Sequence, residues 1–273
     1  MNWMKKVAVA LVCLLPLGLQ AAKVDTLQVK SPSMNKSIEV VVVSPDMAAT
    51  EACPVIYLLH GYGGNARTWV GIKPDLPKIA DEKGIFFVCP DGKNTWYWDS
   101  PLNADVRYET FISDELVKYV DSHYKTVADR KGRAITGLSM GGHGAMWNGL
   151  RHSDVFSAAG STSGGVDIRP FPKNWEMPKQ LGEYETNKEV WNNHTVITQI
   201  DKIENGDLAI IFDCGDSDFF LEVNKNYHEA LLKQGIDHDF ITRPGNHDSQ
   251  YWNNSIDYQI LFFWKHFLKM KAL

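Results

Sequence analysis

The chain is poor in cysteine, with four in 273 residues. Cys13 falls in the N-terminal apolar run, which leaves Cys53, Cys89 and Cys214. An odd number excludes a fully paired disulfide framework, and no C-x-x-C pair or His-rich spacing accompanies them to make a zinc site. Each lies beside or within an apolar run, where a small hydrophobe on a buried strand would stand. There is no surplus of positive charge either: 28 Lys and Arg stand against 33 Asp and Glu, a net charge of −5. That balance opposes attraction to a phosphate backbone and argues against a nucleic-acid partner. The N-terminal apolar run, Val7 to Leu19, is short for a membrane span and is interrupted by Pro16. Phosphate-binding loops are missing: Gly61, Gly63 and Ala66 leave G-x-G-x-x-G incomplete, and no Gly-Lys-Ser/Thr occurs. Repeats, low-complexity tracts and linker-like stretches are absent. No cofactor and no metal are implied.

What is present begins with an N-terminal order of its own. MNWMKK is followed by VAVALVCLLPLGLQ and then by small residues at Ala21 and Ala22, the charged, apolar and cleavage-site sequence of a secretory signal peptide. Ala-Leu-Val ahead of Cys13 lacks the small residue that lipidation requires beside the cysteine. The expectation is therefore a leader over 1–21 and a single secreted or periplasmic domain over 22–273, without a stable membrane anchor. Losing Lys5 and Lys6 with the leader takes the net charge from −5 to −7. An apolar content of 44% is ample for a substantial core.

Short apolar runs bounded by turn residues recur at Ile38 to Ser44, Val55 to His60, Ile85 to Cys89, Arg133 to Thr136, Ala158 to Ser161, Leu208 to Asp213 and Asp239 to Arg243. Helix-like segments lie between them, including Tyr108 to His123, Met140 to Arg151 and Asn224 to Gln234. Strands apolar on both faces that alternate with helices predict an α/β fold with a mostly parallel central sheet covered on both sides. Near the C-terminus, Trp252, Ile256, Ile260, Phe263, Trp264 and Phe267 recur at spacings of three and four, a stripe that belongs against a core. One segment, about 163–206, is too long and irregular for an ordinary connection and carries Pro170, Pro172, Pro178, Trp175 and Trp191. Such insertions serve as lids or substrate loops, or are packed surface excursions.

The chemistry centres on RAITGLSMGGHGAMW, residues 133–147. Ser139 lies between Gly137 and Gly141 in a Gly-x-Ser-x-Gly pattern, after a β-prone RAIT and before a helix-compatible GHGAMWNGL. This is the sequence form of a strained strand-to-helix corner that exposes a serine hydroxyl above a sheet. A serine hydroxyl is a weak nucleophile at neutral pH; it needs a histidine base, and the base needs a carboxylate to hold its tautomer. Downstream, LAIIFDCGDSDFF ends a strand with Asp213, Asp216 and Asp218, and RPGNHDSQYW places His247 in a loop after the following strand. The remaining histidines lie in helices or away from late strands and read as structural. His60, ending a strand ahead of Gly61, Gly63 and Gly64, is read as shaping that glycine loop. HGYGG also supplies backbone donors: the N–H groups of Tyr62 and of Met140, the residue after the serine, are the expected oxyanion hole. Trp96 and Trp98, in NTWYWDSP after a strand end, and Trp175 are candidate substrate-binding aromatics, although Trp96 and Trp98 serve equally as packing for their loop.

Together LLHGYGGN, PDG followed by WYWDSP, YETFISDEL, GLSMGG, CGDSDFF and PGNHDSQYW resemble the putative-esterase family of α/β-hydrolases. That group holds esterase D and S-formylglutathione hydrolase, tributyrin-type esterases, feruloyl and acetylxylan esterases, and mycolyltransferases. The matches spread from about residue 55 to 265. The resemblance implies a single-domain α/β-hydrolase fold with chain order Ser139, acid, His247. The family's Gly-x-x-Asp arrangement implies that the acid is Asp218 and not Asp216. One departure stands out: Ser249 follows His247-Asp248 where the family often has Trp, which leaves the wall beside the histidine open. The expected function is secreted serine carboxylesterase acting through an acyl-enzyme on Ser139. The expected substrate is a small-molecule or polysaccharide-linked ester, with short-chain acetyl or feruloyl groups on carbohydrate foremost. The rivals are an acyltransferase to a sugar or lipid alcohol, an S-formylglutathione-type thioesterase, and a catalytically silent carbohydrate-binding protein of the same fold.

Overall fold

The computed structural model describes residues 22–273; the expected leader lies outside the described residues. Eight strands form one sheet: β1 (Lys23–Ser31), β2 (Lys36–Ser44), β3 (Val55–Leu59), β4 (Phe86–Pro90), β5 (Arg133–Gly137), β6 (Ala158–Thr162), β7 (Ala209–Gly215) and β8 (Asp239–Arg243). Their spatial order is β1-β2-β4-β3-β5-β6-β7-β8. The β1/β2 and β2/β4 pairs are antiparallel and all others parallel, so the structure is the mostly parallel α/β sheet that the alternating runs predict. Every residue of β3, β4, β5 and β6 is buried, as a sheet covered on both faces requires.

Nine α-helical segments among the described residues cover the sheet: α1 (Thr68–Ile72), α2 (Leu76–Lys83), α3 (Tyr108–Thr110), α4 (Leu116–His123), α5 (Met140–Arg151), α6 (Pro178–Leu181), α7 (Lys188–Asn193), α8 (Leu221–Lys233) and α9 (Ser249–Lys269). On one face Ala145, Met146 and Leu150 of α5 pack with Tyr227 and Leu231 of α8. On the other, the stripe of α9 buries Ile256, Ile260, Phe263 and Phe267 beside Leu76 and Ala80 of α2. Those four positions of the stripe are core, as their spacing predicts, while Trp252 and Trp264 are only partly buried. Asp248 caps α9 by accepting from the Tyr251 N–H at 2.9 Å, which fixes the helix start immediately after His247. The segment expected as one helix from Tyr108 to His123 is helical throughout but passes through a π-helical turn over Phe111–Glu115.

Two features depart from the sequence reading. β1 was not expected: as an edge strand it leaves five of its nine residues exposed, and only Val29 and Ser31 are buried, so its apolar signal is thin. The short helices α1 and α2 carry no long periodic pattern. The 163–206 segment is built into the main core through Val166, Ile168, Met177, Leu181, Trp191 and Ile200, all buried. Cys53, Cys89 and Cys214 are buried and unpaired.

Candidate active site

Ser139 occupies the corner between β5 and α5 with φ 55° and ψ −117°. A non-glycine residue in this region stores about 1–3 kcal/mol of strain and persists only when its surroundings over-determine it. Here they do. The Leu138 N–H donates to the Leu59 carbonyl at 3.2 Å and the Ser139 N–H to the Thr162 carbonyl at 3.0 Å, so the corner is clamped between β3 and β6. A β-carbon on Gly141 would be driven into the Leu59 and His60 backbone, which is why the position two after the serine is glycine.

The parallel sheet brings the loops after β7 and β8 to the same end. The Asp216 N–H donates to the Arg243 carbonyl at 2.9 Å and the Ser217 N–H to the Gly245 carbonyl at 3.0 Å, which locks the two loops together. Asp218 Oδ2 then lies 2.8 Å from His247 Nδ1, and His247 Nε2 lies 2.9 Å from Ser139 Oγ. The Asp218 carboxylate is fully buried, with its Oδ1 accepting the Phe220 N–H at 2.8 Å. An ionised carboxylate can only accept, so Nδ1 carries the imidazole hydrogen and Nε2 presents its lone pair to the serine hydroxyl. This arrangement can draw a proton from Ser139 and return it to a leaving group. Asp216 points elsewhere: it is exposed, and its Oδ1 accepts from the Gly245 N–H at 3.3 Å and the Ser217 hydroxyl at 3.1 Å. Asp213 is buried beneath the site, accepting from Ser255, Gln259 and Thr162.

A cleft of about 450 Å³ opens over Ser139 and His247, bounded by Gly61, Tyr62, Trp175, Phe219 and Trp252 among others. The HGYGG loop forms one wall, and neither the Tyr62 nor the Met140 N–H has an acceptor among the described residues. Met140 opens α5, where N–H groups have no intrahelical partner and anionic charge is favoured. His60 is buried behind this loop. Its Nε2 accepts from the Gly92 N–H at 2.8 Å and its Nδ1 donates to the Gly61 carbonyl at 2.7 Å, the shaping role expected of it.

Of the three tryptophans expected at the substrate, only Trp175 borders the cleft. Trp96 and Trp98 are fully buried, stacked on each other with ring centroids 5.8 Å apart and set edge-on against His143. They are the packing of their loop, the second of the two readings the sequence left open. More of the aromatic surface of the cleft comes from Phe219, which the sequence reading passed over, and from Trp252, which it placed in the core stripe of the C-terminal helix. Phe219 stacks on Trp175 at 5.7 Å and lies 4.3 Å from the His247 ring, and Trp252 stands edge-on to His247 at 5.1 Å. Trp252, in the first turn of α9, thus supplies the wall left open by Ser249. Phe219 directly follows Asp218 in CGDSDFF, and that adjacency was the available signal.

An eight-stranded, mostly parallel sheet with a serine at a strained strand-to-helix corner and a histidine after the last strand defines an α/β-hydrolase. Solved structures agree. A Staphylococcus aureus fluorophosphonate-binding serine hydrolase superposes with a TM-score of 0.80 at 20% identity, over 90% of this chain and 99% of that one. A ferulic acid esterase superposes with a TM-score of 0.76 at 27% identity, over 90% of this chain and 100% of that one. The chain matches the family described as "Putative esterase" over residues 31–263. It belongs to that family, and it is a carboxylic ester hydrolase. Among curated relatives, the acetyl esterase of Caldicellulosiruptor saccharolyticus is 26% identical over 220 residues, 76% of this chain and 82% of that protein. The endo-1,4-beta-xylanase/feruloyl esterase of Xylanibacter ruminicola is 28% identical over 211 residues, 70% of this chain but only 25% of that longer protein. Among the described residues no helix is long and apolar enough to cross a membrane.

Proposed function

We propose that the protein is a secreted serine esterase that removes short acyl or feruloyl groups from carbohydrate through an acyl-enzyme on Ser139. The observation that carries this reading is the unbroken hydrogen-bonded relay Asp218–His247–Ser139 at the floor of the cleft. In acylation, Ser139 Oγ bonds to the ester carbonyl carbon while His247 Nε2 takes the hydroxyl proton. The N–H groups of Tyr62 and Met140 receive the oxyanion, worth about 10²–10³ in rate per donor. The C–O bond to the alcohol then breaks, and His247 returns its proton to the departing oxygen. Water enters, gives a proton to His247 as its oxygen bonds to the acyl carbon, and the acid leaves as Ser139 recovers the proton. Asp218 stays ionised throughout and stabilises the imidazolium.

The substrate class is supported by the acetyl and feruloyl activities named for the relatives and by the ring faces of Tyr62, Trp175, Phe219 and Trp252 around the cleft. Secretion is supported by the charged, apolar and small-residue order of 1–21. The test is intact mass after fluorophosphonate treatment, alongside hydrolysis of p-nitrophenyl acetate, methyl ferulate and acetylated xylan. A single adduct on Ser139 with release of acetate or ferulate is the expected result. A folded protein that takes up no adduct and releases nothing would reject the mechanism. Acyl groups recovered on added sugar instead of water would make the protein a transferase. Exported protein with residues 1–21 still attached would reject cleavage of the leader.

A further inference from the structure

The wall of the cleft formed by Gly61–Gly64 is a turn closed by the Gly64 N–H on the Gly61 carbonyl at 3.0 Å, with Gly63 at φ 77°. Positive φ at the third position marks the type II form of this turn, which differs from type I by rotation of the central peptide through about 180°. The N–H of that peptide belongs to Gly63, and it donates to Asn94 Oδ1 at 2.8 Å. Accepting on Oδ1 turns the other end of the Asn94 amide outward, where Nδ2 donates to Glu176 Oε2 at 3.4 Å. Glu176 also faces the Tyr62 phenol and pairs with Lys179. Glu176 and its neighbour Trp175 are consecutive non-glycine residues at positive φ, 57° and 49°, and the buried Trp96 indole holds that bend by donating to the Trp175 carbonyl at 3.3 Å. The 163–206 insertion therefore touches both sides of Ser139 from one bend: Glu176 reaches the HGYGG turn, and Trp175 reaches His247 through Phe219.

We propose that Asn94 and Glu176 are a positioning couple that ties the Tyr62–Gly63 peptide to the insertion and so holds the oxyanion-side turn in its working form. Neither residue touches the reacting atoms. Without the couple, the turn loses its side-chain anchor at Gly63, the Gly61–Gly64 loop is free to shift as a unit, and the Tyr62 N–H, one peptide earlier, is no longer held toward the developing oxyanion. The role rests on the Ser139 reading above and adds to it a dependence on two residues outside the relay.

The test compares Asn94→Ala, Glu176→Ala and Glu176→Gln with wild type in steady-state hydrolysis of p-nitrophenyl acetate, with Ser139→Ala as the control. Asn94→Ala is expected to lower kcat by about 10–100-fold, at or below the loss of one oxyanion donor, with KM within about twofold. Glu176→Ala should fall in the same direction, and Glu176→Gln should recover most of that loss, because an amide oxygen still accepts from Asn94. Glu176 leaves 38% of its side chain open to solvent, so its variants keep the proposal testable even if Asn94→Ala does not fold. Unchanged kcat in Glu176→Ala overturns the proposal. So does a Glu176→Gln variant as slow as Glu176→Ala, since charge and not acceptance would then matter. Full activity in Ser139→Ala would instead reject the nucleophile assignment, an outcome that none of the other variants can mimic.

Discussion

Asp218 is the least exchangeable link in the relay, because both of its oxygens accept N–H hydrogens: Oδ1 from Phe220 and Oδ2 from His247 Nδ1, each at 2.8 Å. Asparagine has one oxygen and one NH2 in that space, so it can satisfy only one of the two donors as they stand. The Phe220 N–H cannot change. The imidazole can, by moving its hydrogen from Nδ1 to Nε2. In Asp218→Asn the amide oxygen is thus expected to stay on Phe220 and the NH2 to donate to Nδ1, which turns an N–H toward Ser139 where a lone pair is needed. The equivalent tautomer inversion in a Ser-His-Asp triad lowers kcat by about 10⁴. That corresponds to about 5.4 kcal/mol of barrier at about 1.36 kcal/mol per tenfold. Asp216→Asn is the matched control two residues away. Its oxygen can still accept from Gly245 and Ser217, so the change should stay within about threefold, as for a surface substitution of about 0.5 kcal/mol. The assay is kcat/KM on p-nitrophenyl acetate at pH 7 with folding checked by near-ultraviolet circular dichroism. A folded Asp218→Asn enzyme within tenfold of wild type, or a larger loss in Asp216→Asn, would refute the assignment of the acid.

Three further outcomes follow from the same structure. Ser139→Gly should abolish turnover yet unfold at about 1 kcal/mol higher free energy than Ser139→Ala, the strain at φ 55° less the added freedom of an unfolded glycine; equal urea midpoints would remove the strained-corner account. Trp175→Ala should raise KM for methyl ferulate about 5–10-fold, the loss of one aromatic contact, and leave methyl acetate nearly unaffected; equal effects on both esters would deny Trp175 a place against the ring. Stability should fall as pH drops from about 6.5 toward 4, because burial holds His143 down to about 3 and His266 down to about 4 and lowers His194 and His238 as well. These rings are neutral when folded and take up protons on unfolding, so their contribution is complete above the unfolded value and shrinks below it; His143 alone accounts for about 2 kcal/mol between pH 7 and pH 5. Urea unfolding at pH 7, 6 and 5 with no decline would contradict it.

The strand and helix alternation, the glycine corner around Ser139, and the chain order of Ser139, Asp218 and His247 could all be read without coordinates. Each depends on local chemistry: an apolar run flanked by turn residues, a glycine where a β-carbon meets neighbouring backbone, a strand end followed by a loop. Tertiary structure decided what local chemistry leaves degenerate. Asp216 and Asp218 are interchangeable by composition; the family resemblance favours Asp218, and the β7 and β8 loops bring the Phe220 N–H and the His247 Nδ1–H to Asp218 alone. NTWYWDSP and the Trp175 bend look equally aromatic, yet Trp96 and Trp98 are enclosed against His143 while Trp175 is left at the cleft. Position relative to a covering layer has no signature in a short window. The wall beside His247 comes from Trp252, a turn into α9, because a helix start aims its first residues back toward the loop before it. The contact from Asn94 to Glu176 spans two segments far apart in the chain, and only the packing of the 163–206 insertion onto the core makes them neighbours.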